Sequence, residues 1–438
     1  MIELPVHKRP YMAFLSHAHT DKDFVDKLDH WLTTVADIPI WYDSRNLNAA
    51  SMVASDLPTA IAESRGIIII VSESSVSSGW VEEEYNAAIN ERTLNKAFKI
   101  IPLKINEVVV PRPLATTKWI DCSNGEFGLE HAKQLLLSLY DFDQATVQPN
   151  VRDVYFSCGW RDRESELNLC IAKPYIQRRF RLVGDSKDQK GFAFGDRIKL
   201  IMESCGAMLA VLPHRGNGLT SKYILRELAV AKQLGLFTYV FAEQEVSIKQ
   251  TIDAADDEFK RLISGLESVN PIVISVSEQK SLMQVLGTGA EIMEEEWRPP
   301  KKPHYVFFAR DFQVCSEQAY SSAKMVVEAV SSMVCIDGDN IHELNVQQAI
   351  RERIIKSFLT IADISENNTN AIIEAGISTG ARVPTHLISK GPRKKPPFMF
   401  RDEQVWFYDS EVEMIGIVHR IIRPYRRRIV NEELQIHR

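Results

Sequence analysis

Glutamates recur at corresponding places along this chain. Glu84, Glu227 and Glu374 lie 70, 71 and 66 residues after Phe14, Phe156 and Phe308, each on a helix-forming stretch behind an apolar run. In the first stretch Trp80 precedes Glu84 by four residues, so an indole and a carboxylate share one helical face. Behind a strand of an open α/β sheet, that face looks into the cleft at the carboxyl ends of the strands, where such sheets bind ligands. A carboxylate there can accept hydrogen bonds from a ligand, and an indole can give it an apolar wall. A plainer role competes, because Glu82, Glu83 and Glu84 in a first helical turn also complement the macrodipole behind a Gly79 N-cap. For Glu82 and Glu83 the plainer role is the expectation.

Other chemistries find little support. His17 and His19 have no carboxylate or second ligand at telling spacing, so they read as solvated loop histidines and no metal is expected. The six cysteines (Cys122, Cys158, Cys170, Cys205, Cys315 and Cys335) form no C-x-x-C pair, which suits a reduced, zinc-free protein. Residues 151–438 contain no Walker, G-x-S-x-G or H-E-x-x-H pattern. The glycine cluster His214-Arg-Gly-Asn-Gly-Leu-Thr220 follows a strand but lacks dinucleotide-binding spacing, and reads as a loop.

The elements that must position these residues are written three times. Tyr11–Leu15, Val154–Phe156 and Tyr305–Phe308 are apolar runs, each followed by a polar loop and an amphipathic helical stretch. Each copy then has a run apolar on both faces, Gly66–Ser72, Ala207–Leu212 and Phe358–Asp363, as a parallel sheet covered by helices requires. Polar residues 144–150 and the stiff Trp297-Arg-Pro-Pro-Lys-Lys-Pro303 separate the copies. The predicted class is α/β, with three Rossmann/flavodoxin-like doubly wound units of mainly parallel sheet. The predicted domains are 1–145 and 146–438, the latter in halves 151–298 and 304–438.

Bulk properties agree. A chain of 438 residues has room for two to four domains, and 45% apolar with 25% charged residues excludes a disordered or fibrous chain. With a formal charge of −6 the chain is not expected to be drawn to long nucleic acid, so any nucleotide needs a local basic site. Apolar runs stay short of the roughly 18 residues of a membrane span, and Met1-Ile-Glu-Leu-Pro5 carries no signal pattern. A cytoplasmic protein without membrane contact is expected.

The ordered set Phe14-Leu-Ser-His17, Asp21, Phe24-Val25, Trp41-Tyr-Asp43, Ser44–Met52, Ala60–Ser64, Ile67–Ser72 and Ser77–Glu84 resembles a TIR domain over about residues 8–140. One departure is Leu47-Asn-Ala-Ala50, where the family's loop usually carries a glycine. The TIR domains that cleave the nicotinamide–ribose bond of NAD carry W-x-x-x-E, which Trp80 to Glu84 matches. The resemblance implies that Glu84 is catalytic and that Trp80, Ser16, His17, Asp43, Ser44 and Arg45 border the NAD site. Nicotinamide leaves as a neutral group without a general acid, so one carboxylate suffices, unlike in the two-carboxylate glycosidases.

Two Rossmann-like halves behind such a domain, with Asp363-Ile-Ser-Glu-Asn-Asn-Thr-Asn370-Ala-Ile-Ile-Glu-Ala-Gly376, resemble the SAVED module of bacterial CBASS antiphage systems, itself like paired CARF domains. That implies a TIR–SAVED effector sensing a cyclic oligonucleotide, with cyclic tri-adenylate one candidate. Phosphates need cations and splayed bases need planar or polar partners. Trp160, Arg161, Arg163, Arg197, Lys199, Arg310, Asn368, Thr369 and Lys390 lie on loops or helices at the expected ligand edge. Arg423-Pro-Tyr-Arg-Arg-Arg428 reads as a solvated or subunit-facing helix.

The resulting expectation is a ligand-driven filament in which the Asp43–Met52 loop of a neighbour completes the NAD cleft. NAD is then substrate and the cyclic oligonucleotide activator, with no resident cofactor. Two other readings stay open: a TIR scaffold without catalysis, and nucleoside-transfer chemistry at Glu227 or Glu374, since the same string resembles nucleoside deoxyribosyltransferase-like folds.

Overall fold

Six consecutive small or β-branched apolar residues, Gly66 to Val71, cannot sit at a half-wet surface, and every one of them is buried. They form the central strand of the first of three sheets in a computed structural model of the chain. The structure describes residues 6, 9–42, 53–77, 79–140, 142, 151–159, 162–185, 194–275, 279–300, 305–310, 315–339, 345–392 and 400–429. The first sheet is β1 (Ala13–Ser16), β2 (Ile40–Trp41), β3 (Gly66–Val71), β4 (Lys99–Lys104) and β5 (Ile120–Asp121), ordered β2-β1-β3-β4-β5 and parallel throughout.

The second sheet comprises β6 (Arg152–Ser157), β7 (Phe180–Gly184), β8 (Ala207–Leu212), β9 (Thr238–Glu243) and β10 (Ile272–Ile274). The third has β11 (Tyr305–Ala309), β12 (Val334–Ile336), β13 (Leu359–Asp363), β14 (Thr385–Lys390) and β15 (Val405–Tyr408). Both keep the winding of the first: the opening strand lies between its second and third, and the fourth and fifth follow outward. In each sheet, therefore, the strand order reverses beside the opening strand, and the carboxyl ends of β1/β3, β6/β8 and β11/β13 form the switch point at which such sheets hold their ligands in a crevice. The threefold repeat in the sequence is a threefold repeat of topology.

A sixth strand departs from the plan. β16 (Arg428–Ile429) pairs antiparallel with β7 at the edge of the second sheet. The expected helix at the basic cluster is corrected here. Arg423–Tyr425 form one 3-10 turn, and Arg427 is buried with its guanidinium 2.7 Å from Asp153 Oδ2. Arg181 reaches the same carboxylate at 2.6 Å, so two cations share one buried acid. Tertiary pairing, rather than helix periodicity, decides where these arginines go.

By internal contacts the chain divides into two units: Met1–Thr146 with Val306–Ile355 and Leu359–Tyr425, and Val147–Tyr305 with Lys356–Phe358 and Arg426–Arg438. Within the former, helices Glu317–Ser331 and Glu411–Ile422 of the third sheet pack on helix Leu129–Tyr140 of the first. Gly416 leaves room there for Trp31 and Val35, whose π-helical turn Trp31–Val35 lies against it. His419 is fully buried between Tyr140 Oη at 2.7 Å and the Ala36 carbonyl at 2.6 Å. No helix among the described residues is long and apolar enough to cross a membrane.

Candidate active site

Ser16 closes β1 and Glu84 stands on helix Gly79–Leu94, which follows β3. Alternation along β1 turns Phe14 and Ser16 to one face. Phe14 joins the core there, packed edge-to-face on Trp41 at 5.2 Å, while Ser16 reaches the crevice and donates its hydroxyl to Glu84 Oε2. Ser16 is 1% exposed and Glu84 4%. On the helix Glu84, Ala88 and Glu91 follow one buried stripe, whereas Glu82 and Glu83 are exposed, as helix-dipole residues should be. The stripe is fixed at its far end by Arg9, which is buried, meets Glu91 at 2.6 Å and donates to the Ile61 and Ser64 carbonyls at 3.0 Å.

Two further clusters shape the edge of the crevice. Ser72, just past β3, donates to Asp21 at 2.6 Å and exchanges hydrogen bonds with Ser75, tying the strand end to the loop after β1. His17 rests against Tyr42, ring centroids 5.4 Å apart. The Tyr42 hydroxyl and Lys22 Nζ both reach Asp26 Oδ1 at 2.9 Å. The Lys22 ammonium first, then Tyr42, holds the Asp26 carboxyl below its usual range. Sequence reasoning missed Tyr42 and Asp26. An acid and an aromatic sixteen residues apart meet only once β2 lies beside β1.

Trp80 stands in the first turn of the helix, one turn before Glu84, with its side chain outside the described residues. Asp43, Ser44 and Arg45, with the rest of the loop to Met52, lie outside them too, as do Trp160, Arg161 and the Arg163 side chain. No group of three potential metal ligands occurs among the described residues.

The residues singled out for a nucleotide ligand are placed very differently from one another. Arg197 is only 2% exposed, with Nη2 3.1 Å from Asp185 and 2.9 Å from the Arg426 carbonyl, while Lys199 on the same helix is exposed. Arg310 is buried over the Tyr320 ring at 4.0 Å, with Glu317 at 2.8 Å, Asp339 at 2.6 Å and Asp337 at 3.4 Å around it. Its charge is thus neutralised within the fold. Asn368 caps helix Thr369–Gly380, accepting from the Asn370 and Ala371 N–H groups, and Thr369 is exposed beside it. Lys390 ends β14 with an exposed side chain and donates its backbone N–H to Ser365 Oγ. On helix Thr369–Gly380, burial and the neighbouring Asp337 raise the Glu374 carboxyl to about 7.

Comparison with known proteins bears on the first sheet. Residues 13–136 match the family model of the TIR domain. Among solved structures, one similar chain is the TIR domain of the Toll-related receptor TRR-2 from Hydra magnipapillata. It is 18% identical, with 25% of this chain and 83% of that chain covered and a TM-score of 0.23. No curated protein matches. The family match puts a TIR domain at the N-terminus of this α/β chain, over residues 13–136.

Proposed function

We propose that the TIR domain is a nucleosidase cleaving the nicotinamide–ribose bond of NAD, with Glu84 as its catalytic carboxylate. The observation that carries this reading is the Ser16–Glu84 pair in the crevice of β1 and β3, where an open sheet of this winding receives its ligand. In the reaction the C1′–N bond breaks and its electron pair leaves with the pyridine ring, which becomes neutral nicotinamide. The ribose left behind is an oxocarbenium-like cation. Glu84 faces that charge and accepts from the ribose hydroxyls, while water adds its oxygen to C1′ and releases a proton. Ser16, donating to one oxygen, holds the carboxylate in orientation.

The reading extends to control. Residues 146–438, with two further sheets of the same winding, form a SAVED-like sensor of a cyclic oligonucleotide in antiphage defence. Ligand binding drives self-association and completes the TIR site. The repeat of one ligand-binding topology supports this part. One observation favours a second reading, a TIR scaffold without catalysis: Glu84 is 4% exposed and hydrogen-bonded within the fold, as a structural acid would be.

The test is nicotinamide release from NAD by the full chain, alone and with cyclic oligonucleotides including cyclic tri-adenylate. Release that disappears in Glu84→Gln supports the nucleosidase. Assembly without release from any mixture leaves the scaffold.

A further inference from the structure

The constellation of the first crevice is repeated in the second. Ser16 lies opposite Ile69, the fourth residue of β3, and Ser157 opposite Ala210, the fourth residue of β8. Each closes the opening strand of its sheet, and each donates its hydroxyl to a glutamate on the long helix that follows the central strand, which in the first sheet comes after the short helix Glu73–Ser77. In the second sheet that glutamate is Glu227, on helix Lys222–Leu234. An aromatic residue stands four positions before it, Tyr223, as Trp80 stands before Glu84. Tyr223 is 66% exposed in the first turn of its helix. The third crevice breaks the pattern: Ala309 takes the serine's place, and Asn370 precedes Glu374 by four.

Chance does not easily bring four matched features together: strand position, hydroxyl donor, helical carboxylate and aromatic at i−4. Among the described residues, the strand position two before the serine differs between the two sites. Tyr155, two residues before Ser157 on the same strand face, donates to Glu227 Oε1 at 2.8 Å, where the first sheet has Phe14. Burial and the Glu227 charge hold the Tyr155 phenol well above its ordinary range, so it stays a donor. Each Glu227 oxygen thus already carries a hydroxyl donor, which spreads its negative charge and weakens it as a partner for a developing cation. A carboxylate held this way is fixed in orientation and stays partly exposed.

We propose that the crevice of the second sheet is a ribonucleoside-binding site that holds without cleaving: Glu227 and Ser157 take the sugar hydroxyls, and Tyr223 offers its ring to the base. The sugar assignment rests on the reading of Ser16–Glu84 as a ribose site. The equivalence of the two crevices stands on the strand registers.

The experiment titrates adenosine, guanosine, cytidine and uridine into the full chain carrying Ser16→Ala and Glu84→Gln, so that the first crevice contributes nothing. Calorimetry reads the binding that remains. At least one ribonucleoside is expected to bind, its 2′,3′-dideoxy analogue to bind roughly tenfold more weakly or not at all, and Glu227→Gln and Tyr223→Ala each to weaken it by roughly tenfold. Tm of each variant, read beside the titration, separates lost binding from lost folding, and Tyr223, 66% exposed, is the substitution expected to move it least. No binding by any ribonucleoside, or binding indifferent to both substitutions or to loss of the hydroxyls, overturns the site. Failure of the NAD reading shows separately, as absent nicotinamide release by the unmodified chain.

Discussion

On the nucleosidase reading Ser16 acts through Glu84, to which it donates, so its removal should disturb the reaction more than the binding of NAD. Ser16→Ala is expected to lower kcat by roughly 10- to 100-fold with KM nearly unchanged, and Ser16→Thr, which restores a hydroxyl, to recover much of the loss. Equal effects on kcat and KM would place Ser16 on the substrate instead. Two groups of the third sheet make stability depend on pH in opposite senses. Burial holds the His386 imidazole down at about 4 from an ordinary 6.5, with Tyr425 Oη 2.7 Å from Nε2. Below pH 6.5 the unfolded chain takes a proton the folded chain refuses, so this group's support is complete above 6.5 and lost toward 4. Glu374, raised to about 7, keeps its proton longer folded than unfolded, so its support is complete below 4.5 and lost as pH rises through 7. Between 4.5 and 6.5 the two slopes oppose each other; above 6.5 only Glu374 remains. Glu374→Gln should therefore stabilise the chain by about 1–3 kcal/mol at pH 8 and by much less at pH 4.5, a contrast that thermal melts at the two pH values would measure.

The elements that position the site were legible where local pattern decides and illegible where distant partners decide. The run Gly66–Val71 announces a buried parallel strand by composition, and the spacing of Glu84, Glu227 and Glu374 behind three such runs anticipates three equivalent helices. Arg197 and Arg310 are expected as ligand cations because they flank strand ends. Their enclosure by Asp185, and by Glu317, Asp337 and Asp339, arises only when separate loops converge. The basic run after Arg423 misled for a related reason: Arg427 is drawn to Asp153, 274 residues away, and β16 forms where a helix was expected. Tyr155 escaped notice because an apolar strand hides a hydroxyl, although its place two residues before Ser157 was the available signal. The same tertiary dependence governs helix Gly79–Leu94, whose amphipathicity alone does not fix its rotation over the sheet. Arg9→Met is expected to leave Glu91 buried without its cation, cost about 3–5 kcal/mol, and, on the nucleosidase reading, reduce NAD cleavage by letting Glu84 drift from Ser16. Arg9→Met with Glu91→Leu should regain most of the stability, which chemical denaturation of the pair would reveal.

At the scale of the molecule, the TIR domain shares a unit with the third sheet, and the face it gives up is substantial. Trp31 Nε1 donates to the Val412 carbonyl at 2.9 Å, Arg420 to the Thr34 carbonyl at 2.8 Å, and Arg423 meets Asp37 at 2.8 Å, while His419 is fully buried among TIR residues. A surface occupied this way by helix Glu411–Ile422 is not offered to a second copy, so self-association of TIR domains should use other faces. It also predicts that the two sheets unfold as one cooperative body, because neither can expose its side of the contact without the other. Gly416 is the place to test this: a Cβ there would lie 2.8 Å from Val35 Cγ1 and 3.0 Å from Trp31 Nε1. Gly416→Val should force the helix off that turn at a cost of about 1–3 kcal/mol, beyond any gain in helix propensity from losing glycine. Hydrogen exchange reads the consequence strand by strand. If the junction couples the sheets, amides of β3 and of β13 lose protection together while those of β8, in the other unit, keep theirs. Loss confined to β13 would mean that the TIR domain holds its stability alone, and that the contact is a tether rather than a shared core.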